Sequence, residues 1–193
     1  MRVTGGFLKG RKLFYKKTRS LRPTRDIVRE AIFDILRDNV QEADVIEIFA
    51  GTGALGFEAL SRGARSVVFV DNCLQSIRLL KKNCAMLKMT EKVKIMKMDA
   101  EKALKKFYNE GCTFDIIFAD PPYSMNKSKM MTIFLLASRI LRQGGFFVFE
   151  TGSKTDISEN LIESSLELKK EKKYGSTKIR IYGKKRTSCC LSG

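Results

Sequence analysis

VIEIFAGTGALGFEALSRG, residues 45–63, joins a short apolar run to a helix-period stretch through a glycine turn. Gly51, Gly53 and Gly56 fall in a G-x-G-x-x-G spacing after the run and at the start of the helix. Glycine is needed where a backbone turns tightly and must approach a ligand with no side chain between them. Further on stands Asp71, at the end of the next apolar run and placed to accept hydrogen bonds from ribose hydroxyls. A nicotinamide dinucleotide and S-adenosyl-L-methionine both satisfy this much.

The same rhythm repeats downstream. VVFVD (67–71), VKIMKMD (93–99), FDIIFAD (114–120) and FFVFE (146–150) alternate with helix-period spacers, and Gly63, Gly111 and Gly144 are candidate helix stops. Strand and helix in strict alternation predict a parallel sheet with right-handed crossovers. LELKKEKKYGSTKIRIYG (166–183) instead reads as two strands about a Gly175–Ser176 turn, an antiparallel hairpin closing the sheet. MRVTGGFLKGRKLFYKK (1–17) reads as a small basic hairpin. RPTRDIVREAIFDIL (22–36) reads as a helix burying Ile27, Ala31, Ile35, Val28, Ile32 and Leu36. The expected architecture is α/β and Rossmann-like, with a seven-stranded mostly parallel sheet and helices on both faces. One domain over 1–186 is expected: basic hairpin 1–20, helix 21–44, core 45–183, with a frayed tail at 187–193.

Composition narrows the chemistry. The 193 residues include no histidine, so imidazole acid–base catalysis is excluded, and the five cysteines contain no C-x-x-C pair. No metal site is expected. No apolar stretch approaches a membrane span and the N-terminus lacks a signal-like apolar segment, so a reducing cytoplasm is the expected compartment. A net charge of +16 favours a polyanion partner. Nothing demands a dimer, and a monomer is expected.

Asp71, Asp99, Asp120 and Glu150 each close an apolar run, and Glu47 lies within the first. In a parallel sheet these ends share the edge where open α/β folds bind ligands. Asp120 opens DPPY, residues 120–123. An exocyclic nucleobase amine is a poor nucleophile because its lone pair is delocalised into the ring. Acceptors on its two N–H bonds let it rehybridise, and the Asp120 carboxylate with a carbonyl of the Pro121–Pro122 step supplies them. Proline offers no competing N–H and fixes φ. Tyr123 offers a flat face on which an extruded base can stack.

RVTGGFLKGRKL, LRPTRDIVREAIFDIL, IFAGTGALGFEALSRGA, DPPY and YGSTKIRIY together resemble the bacterial 16S ribosomal-RNA guanine-N2 methyltransferases of the RsmD type, from Arg2 to about Gly183. DPPY is shared with adenine-N6 and cytosine-N4 enzymes, so it speaks to chemistry more than to substrate. The resemblance implies a class I methyltransferase acting on one guanine of small-subunit RNA, within an assembled particle. It implies that Glu47, Phe49, Ala50, Gly51, Thr52 and Gly53 line the methionine part of the cofactor. By the same resemblance Asp71 and Asn72 meet the ribose, Asp99 and Ala100 the adenine, and Asp120, Pro121, Pro122 and Tyr123 form the catalytic element. Glu47 departs from the aspartate common among relatives, and the cysteine-bearing tail has no counterpart.

Arg2, Lys9, Arg11, Lys12, Arg22 and Arg25 belong to an opening stretch of twenty-five residues that contains no acid. They are the candidate phosphate contacts, with base identity left to the pocket. Lys169, Lys170, Lys172, Lys173 and Lys178 read as a solvated face. Methylation of adenine or cytosine amines, a nicotinamide oxidoreductase and a non-catalytic RNA-binding module stay open as alternatives on these residues alone.

Overall fold

The apolar runs become the strands of one sheet. The computed structural model describes residues 1–15, 24–122, 124–152, 166–175 and 177–185. In chain order they form α1 (Thr24–Leu36), β1 (Asp44–Ile48), α2 (Ala54–Ser61), β2 (Ser66–Asp71), α3 (Leu74–Leu87), β3 (Val93–Lys97) and α4 (Ala100–Asn109). β4 (Phe114–Ala119), α5 (Lys127–Ile140), β5 (Leu141–Gly152), β6 (Leu166–Tyr174) and β7 (Thr177–Lys184) follow. The sheet order is β3-β2-β1-β4-β5-β7-β6. β1 to β5 pair in parallel, and β7 pairs antiparallel with both β5 and β6.

Alternate residues of each parallel strand feed opposite layers. Val45, Val67, Phe69, Ile116 and Phe118 pack with the apolar sides of α1, α2 and α3. Ile46, Ile48, Val70, Ile117 and Phe147 pack with α4 and α5. The hairpin closes both layers, with Ile179 and Ile181 in the first and Leu166 and Tyr182 in the second.

The chain runs outward from β1 to β2 and β3, then returns to place β4 on the other flank of β1. Strand order therefore reverses between β1 and β4. In open sheets of this kind the edge beyond the carboxyl ends of the strands, at such a reversal, is where ligands bind.

Two expectations shift, and one gains detail. Ile27 is 58% exposed, and the buried stripe of α1 is Val28, Ile32, Phe33 and Leu36, with Ala31 and Ile35 half-buried. The cause is Arg29, which α1 turns inward, where its Nη2 donates to the Arg2 carbonyl at 2.8 Å and to Asp26 Oδ1 at 2.9 Å. The N-terminal hairpin is short: beside the one antiparallel bridge of Arg2 with Lys12, Val3 N–H bonds the Arg11 carbonyl, Gly10 N–H the Val3 carbonyl and Leu13 N–H the Met1 carbonyl, while the N–H groups of Thr4, Phe7, Leu8 and Phe14 turn to α2 and α3. Gly144 does not stop α5, which ends at Ile140; it takes φ +75 inside the irregular start of β5, where the register with β4 shifts. Tyr123, Arg22, Ser176 and the tail lie outside the described residues, as does the side chain of Arg25.

Candidate active site

β1 ends in the glycine turn. Phe49 takes φ +57, a region unfavourable to a side chain with a Cβ, and Gly53 takes φ +76. A Cβ on Gly53 would stand 2.7 Å from Leu80 Cδ2 and 2.8 Å from Phe57 Cε2. Gly56 is held by packing, since a Cβ there would meet Phe69 Cε1 at 2.4 Å and Glu47 Oε2 at 2.8 Å. A Cβ on Gly51 would find nothing nearer than the Phe49 carbonyl at 3.9 Å, so the turn is open on that side.

Glu47 lies under the turn with 6% of its surface exposed. Its Oε2 accepts the Gly56 N–H at 2.7 Å, so the carboxyl caps the start of α2. Burial pushes this carboxyl up to about 8; the Gly56 and Leu55 N–H groups oppose the rise, the Asp120 charge adds to it, and Arg29 opposes it weakly. The register Ile48 with Ala119 explains the Asp120 contribution, because it brings the DPP corner beside the glycine turn.

Asp71 fastens two turns at once. Its Oδ2 accepts the Gly51 N–H and its Oδ1 the Cys73 N–H, each at 2.8 Å. Asn72 is exposed beside it. Asp99 follows β3 as the cap of α4, accepting the Glu101 N–H at 3.0 Å and the Lys102 N–H at 3.3 Å, while Lys129 Nζ donates to its Oδ2 at 3.0 Å. Burial works against its ionisation, yet Lys129 and the N–H groups outweigh burial and hold the carboxyl below its ordinary range. Ala50 and Ala100 are buried, and Thr52 is half-buried. Asp120 is exposed, Pro121 buried and Pro122 exposed. The Pro122 carbonyl accepts the Met125 N–H at 2.9 Å, so a turn directly follows the two prolines.

Of the acidic strand ends, all but Glu150, which sits two residues inside β5, therefore meet at one edge. Apart from its one carboxylate, S-adenosylmethionine offers an ammonium, a sulfonium, ribose hydroxyls and an adenine amine, all cations or donors. An open glycine turn flanked by Glu47, Asp71 and Asp99 fits that donor set. Among the described residues no cluster of three or more acidic or cysteine side chains could hold a metal, and no helix is long and apolar enough to cross a membrane.

Arg2, Lys9, Arg11 and Lys12 are exposed, on a segment moored to the helix that follows the glycine turn. Glu58 of α2, fully buried, accepts Thr4 N–H and Oγ1–H at 2.8 Å and Arg62 Nε–H at 2.9 Å. Ser61 Oγ donates to the Gly5 carbonyl at 2.6 Å and accepts the Leu8 N–H at 2.8 Å. Asn83 of α3, also fully buried, reaches both the segment and the glycine turn: its Nδ2 donates to the Phe14 carbonyl at 3.0 Å and to the Thr52 carbonyl at 3.1 Å. Sequence reading missed Glu58, Ser61 and Asn83. The one available signal was a lone carboxylate in the otherwise apolar ALGFEAL.

The model of the family described as Conserved hypothetical protein 95 matches residues 1–183. Ribosomal RNA small subunit methyltransferase D of Haemophilus influenzae is 32% identical over 183 residues, covering 94% of this chain and 93% of that protein. The solved structure of Escherichia coli yhhF has a TM-score of 0.83 at 29% identity, covering 96% of this chain and 98% of that one. A Thermus thermophilus 16S rRNA N2 G1207 methyltransferase, solved with AdoMet and guanosine, has a TM-score of 0.69 at 25% identity over 88% of this chain and 45% of that one. The sheet order and its antiparallel hairpin are those of a class I methyltransferase fold. With that fold and a family match spanning nearly its whole length, the chain belongs to the Conserved hypothetical protein 95 family, of the RsmD type.

Proposed function

We propose that this protein methylates the exocyclic N2 amine of a guanine in small-subunit (16S) ribosomal RNA, within an assembled particle, using S-adenosylmethionine. The observation that carries the reading is the neighbourhood of Glu47 and Asp120 at the β1–β4 reversal, where a donor pocket and an amine clamp would have to meet. Family membership and the Haemophilus influenzae relative support it, as does the Thermus thermophilus structure holding AdoMet and guanosine.

In this reading Glu47, Phe49, Ala50, Gly51, Thr52 and Gly53 surround the methionine part of the donor. Asp71 and Asn72 take the ribose, and Asp99 and Ala100 the adenine. The donor, when bound, supplies the methyl group on a sulfonium. Asp120 accepts one N–H of the target amine and the Pro121 carbonyl the other, since the Pro122 carbonyl is already engaged with Met125. Those two acceptors hold the amine with its lone pair free and aimed. Asp120, exposed to solvent, takes the proton that the amine sheds and passes it to water. Tyr123 stacks the extruded base, and Arg2, Lys9, Arg11, Lys12, Arg22 and Arg25 hold phosphates around it.

Incubation with labelled AdoMet and immature small subunits, followed by nucleoside analysis, tests this. N2-methylguanosine is the expected product. Label in N6-methyladenosine or N4-methylcytidine would correct the base, and no incorporation into RNA would overturn the reading.

A further inference from the structure

The basic surface does not end with the N-terminal segment. α3 carries Arg78, Lys81 and Lys82, all exposed, and no acidic residue along its length. Their i, i+3, i+4 spacing puts them on one helix face. Lys82 Nζ sits 3.7 Å from the centre of the Phe14 ring, which joins that face to the segment crossing it. Phe14 and its neighbour Tyr15 keep 39% and 36% of their surface exposed, so part of each ring is open to a partner.

The placement of Phe14 is rigid. Asn83 binds its N–H at 2.7 Å and its carbonyl at 3.0 Å, and the same amide nitrogen holds the Thr52 carbonyl. Two carbonyls on one nitrogen stand within about 6 Å of each other. Phe14 is thus registered to the glycine turn by a single buried side chain, with Tyr15 next to it in the chain. A flat apolar ring with one cation resting on it and two more on the same helix face suits a base with its phosphate, and suits neither an acidic peptide nor an apolar partner as well.

We propose that Phe14 and Tyr15, with the Arg78–Lys81–Lys82 face of α3, form a second RNA subsite. It stacks an unpaired nucleotide neighbouring the target base and grips the adjoining phosphates. The proposal rests on the RNA-methylation reading above but concerns a different contact. Stacking tolerates any base, so the subsite contributes affinity and alignment, and the catalytic pocket retains base choice.

The test uses the full chain and a short single-stranded RNA with one internal 2-aminopurine, with heparin as a polyanion that lacks bases. The wild type quenches the fluorophore on binding. The double variant Phe14→Leu, Tyr15→Leu leaves the backbone clamp intact, loses the quenching and binds the RNA about tenfold more weakly. Its heparin affinity and its AdoMet affinity by calorimetry stay unchanged, and Phe14→Tyr retains quenching. Lys82→Met lowers the salt slope of RNA binding by about one. Absence of quenching in the wild type, or a double variant that binds and quenches like it, overturns the proposal. So does an equal loss of heparin affinity. If the wild type methylates immature subunits and the double variant does so with the same KM, the subsite falls while the activity stands. If the wild type quenches but methylates nothing, the activity falls and the subsite stands.

Discussion

Asn83 and Phe14, on different elements, form a reciprocal pair: the Asn83 side-chain oxygen accepts the Phe14 N–H at 2.7 Å and its nitrogen donates to the Phe14 carbonyl at 3.0 Å. The amide imitates a neighbouring strand for one residue. Because the same nitrogen also holds Thr52, the pair ties the basic N-terminal segment to the glycine turn.

Asn83→Ala removes three bonds and leaves the part-buried backbone groups of Phe14 and Thr52 without the fully enclosed side chain that joins them. A loss of about 2–4 kcal/mol is expected in urea unfolding. Asn83→Asp keeps an acceptor for Phe14 N–H but loses both donors, so AdoMet affinity should fall with it. A calorimetric affinity equal to wild type would show that the glycine turn holds its shape without Asn83.

Gly6 takes φ +72, and a Cβ there would lie 1.8 Å from the Ser61 carbonyl oxygen. Gly6→Ala should lift the N-terminal segment from α2 while the sheet stays folded. Hydrogen exchange should show lost protection at Phe7 and Leu8, whose N–H groups bond Ser61, with β1 and β4 unaffected. RNA affinity should drop more than AdoMet affinity.

Asp120→Ala should reduce kcat by at least about a hundredfold with RNA affinity nearly intact, because in the proposed mechanism the carboxylate acts on the reacting amine. It should also lower the Glu47 pKa, since the Asp120 charge helps to raise it. Carbon-13 titration of the labelled glutamate reads the second effect independently of activity.

In the proposed reading, Glu47 should make folding and donor binding respond to pH in opposite senses. Its folded carboxyl rises from 4.5 to about 8, chiefly through burial, so between those values the folded state holds a proton that the unfolded state has released. The stability contribution is present below about 4.5 and is lost as pH rises toward 8. Relative to Glu47→Gln, the wild type should lose up to about 1.4 kcal/mol per pH unit in that window. If the carboxylate meets the cationic donor, AdoMet affinity should instead rise from pH 6.5 to 8.5, and Glu47→Gln should flatten both profiles.

The parallel core was legible because it is local. Ile46, Ile48, Val70 and Ile117 sit in runs whose apolar character alone specifies a strand buried on both sides, and the glycine spacing marks the turn after the first. The helix stripe was only half legible. Ile27 and Val28 both satisfy the period, and nothing local says that Arg29 must turn inward and carry Ile27 into solvent.

Sequence by itself determined the alternation of strands and helices, the glycine turn, the acidic run ends and the DPP corner, because each is written in contiguous residues whose burial or backbone demands are intrinsic. Only the tertiary structure decided that order reverses between β1 and β4, bringing Glu47 near Asp120, and that Glu58 and Asn83 moor the basic segment. Those contacts span 54 and 69 residues. A buried polar side chain is stable only beside its partner, and no local pattern records where a partner that distant will come to rest.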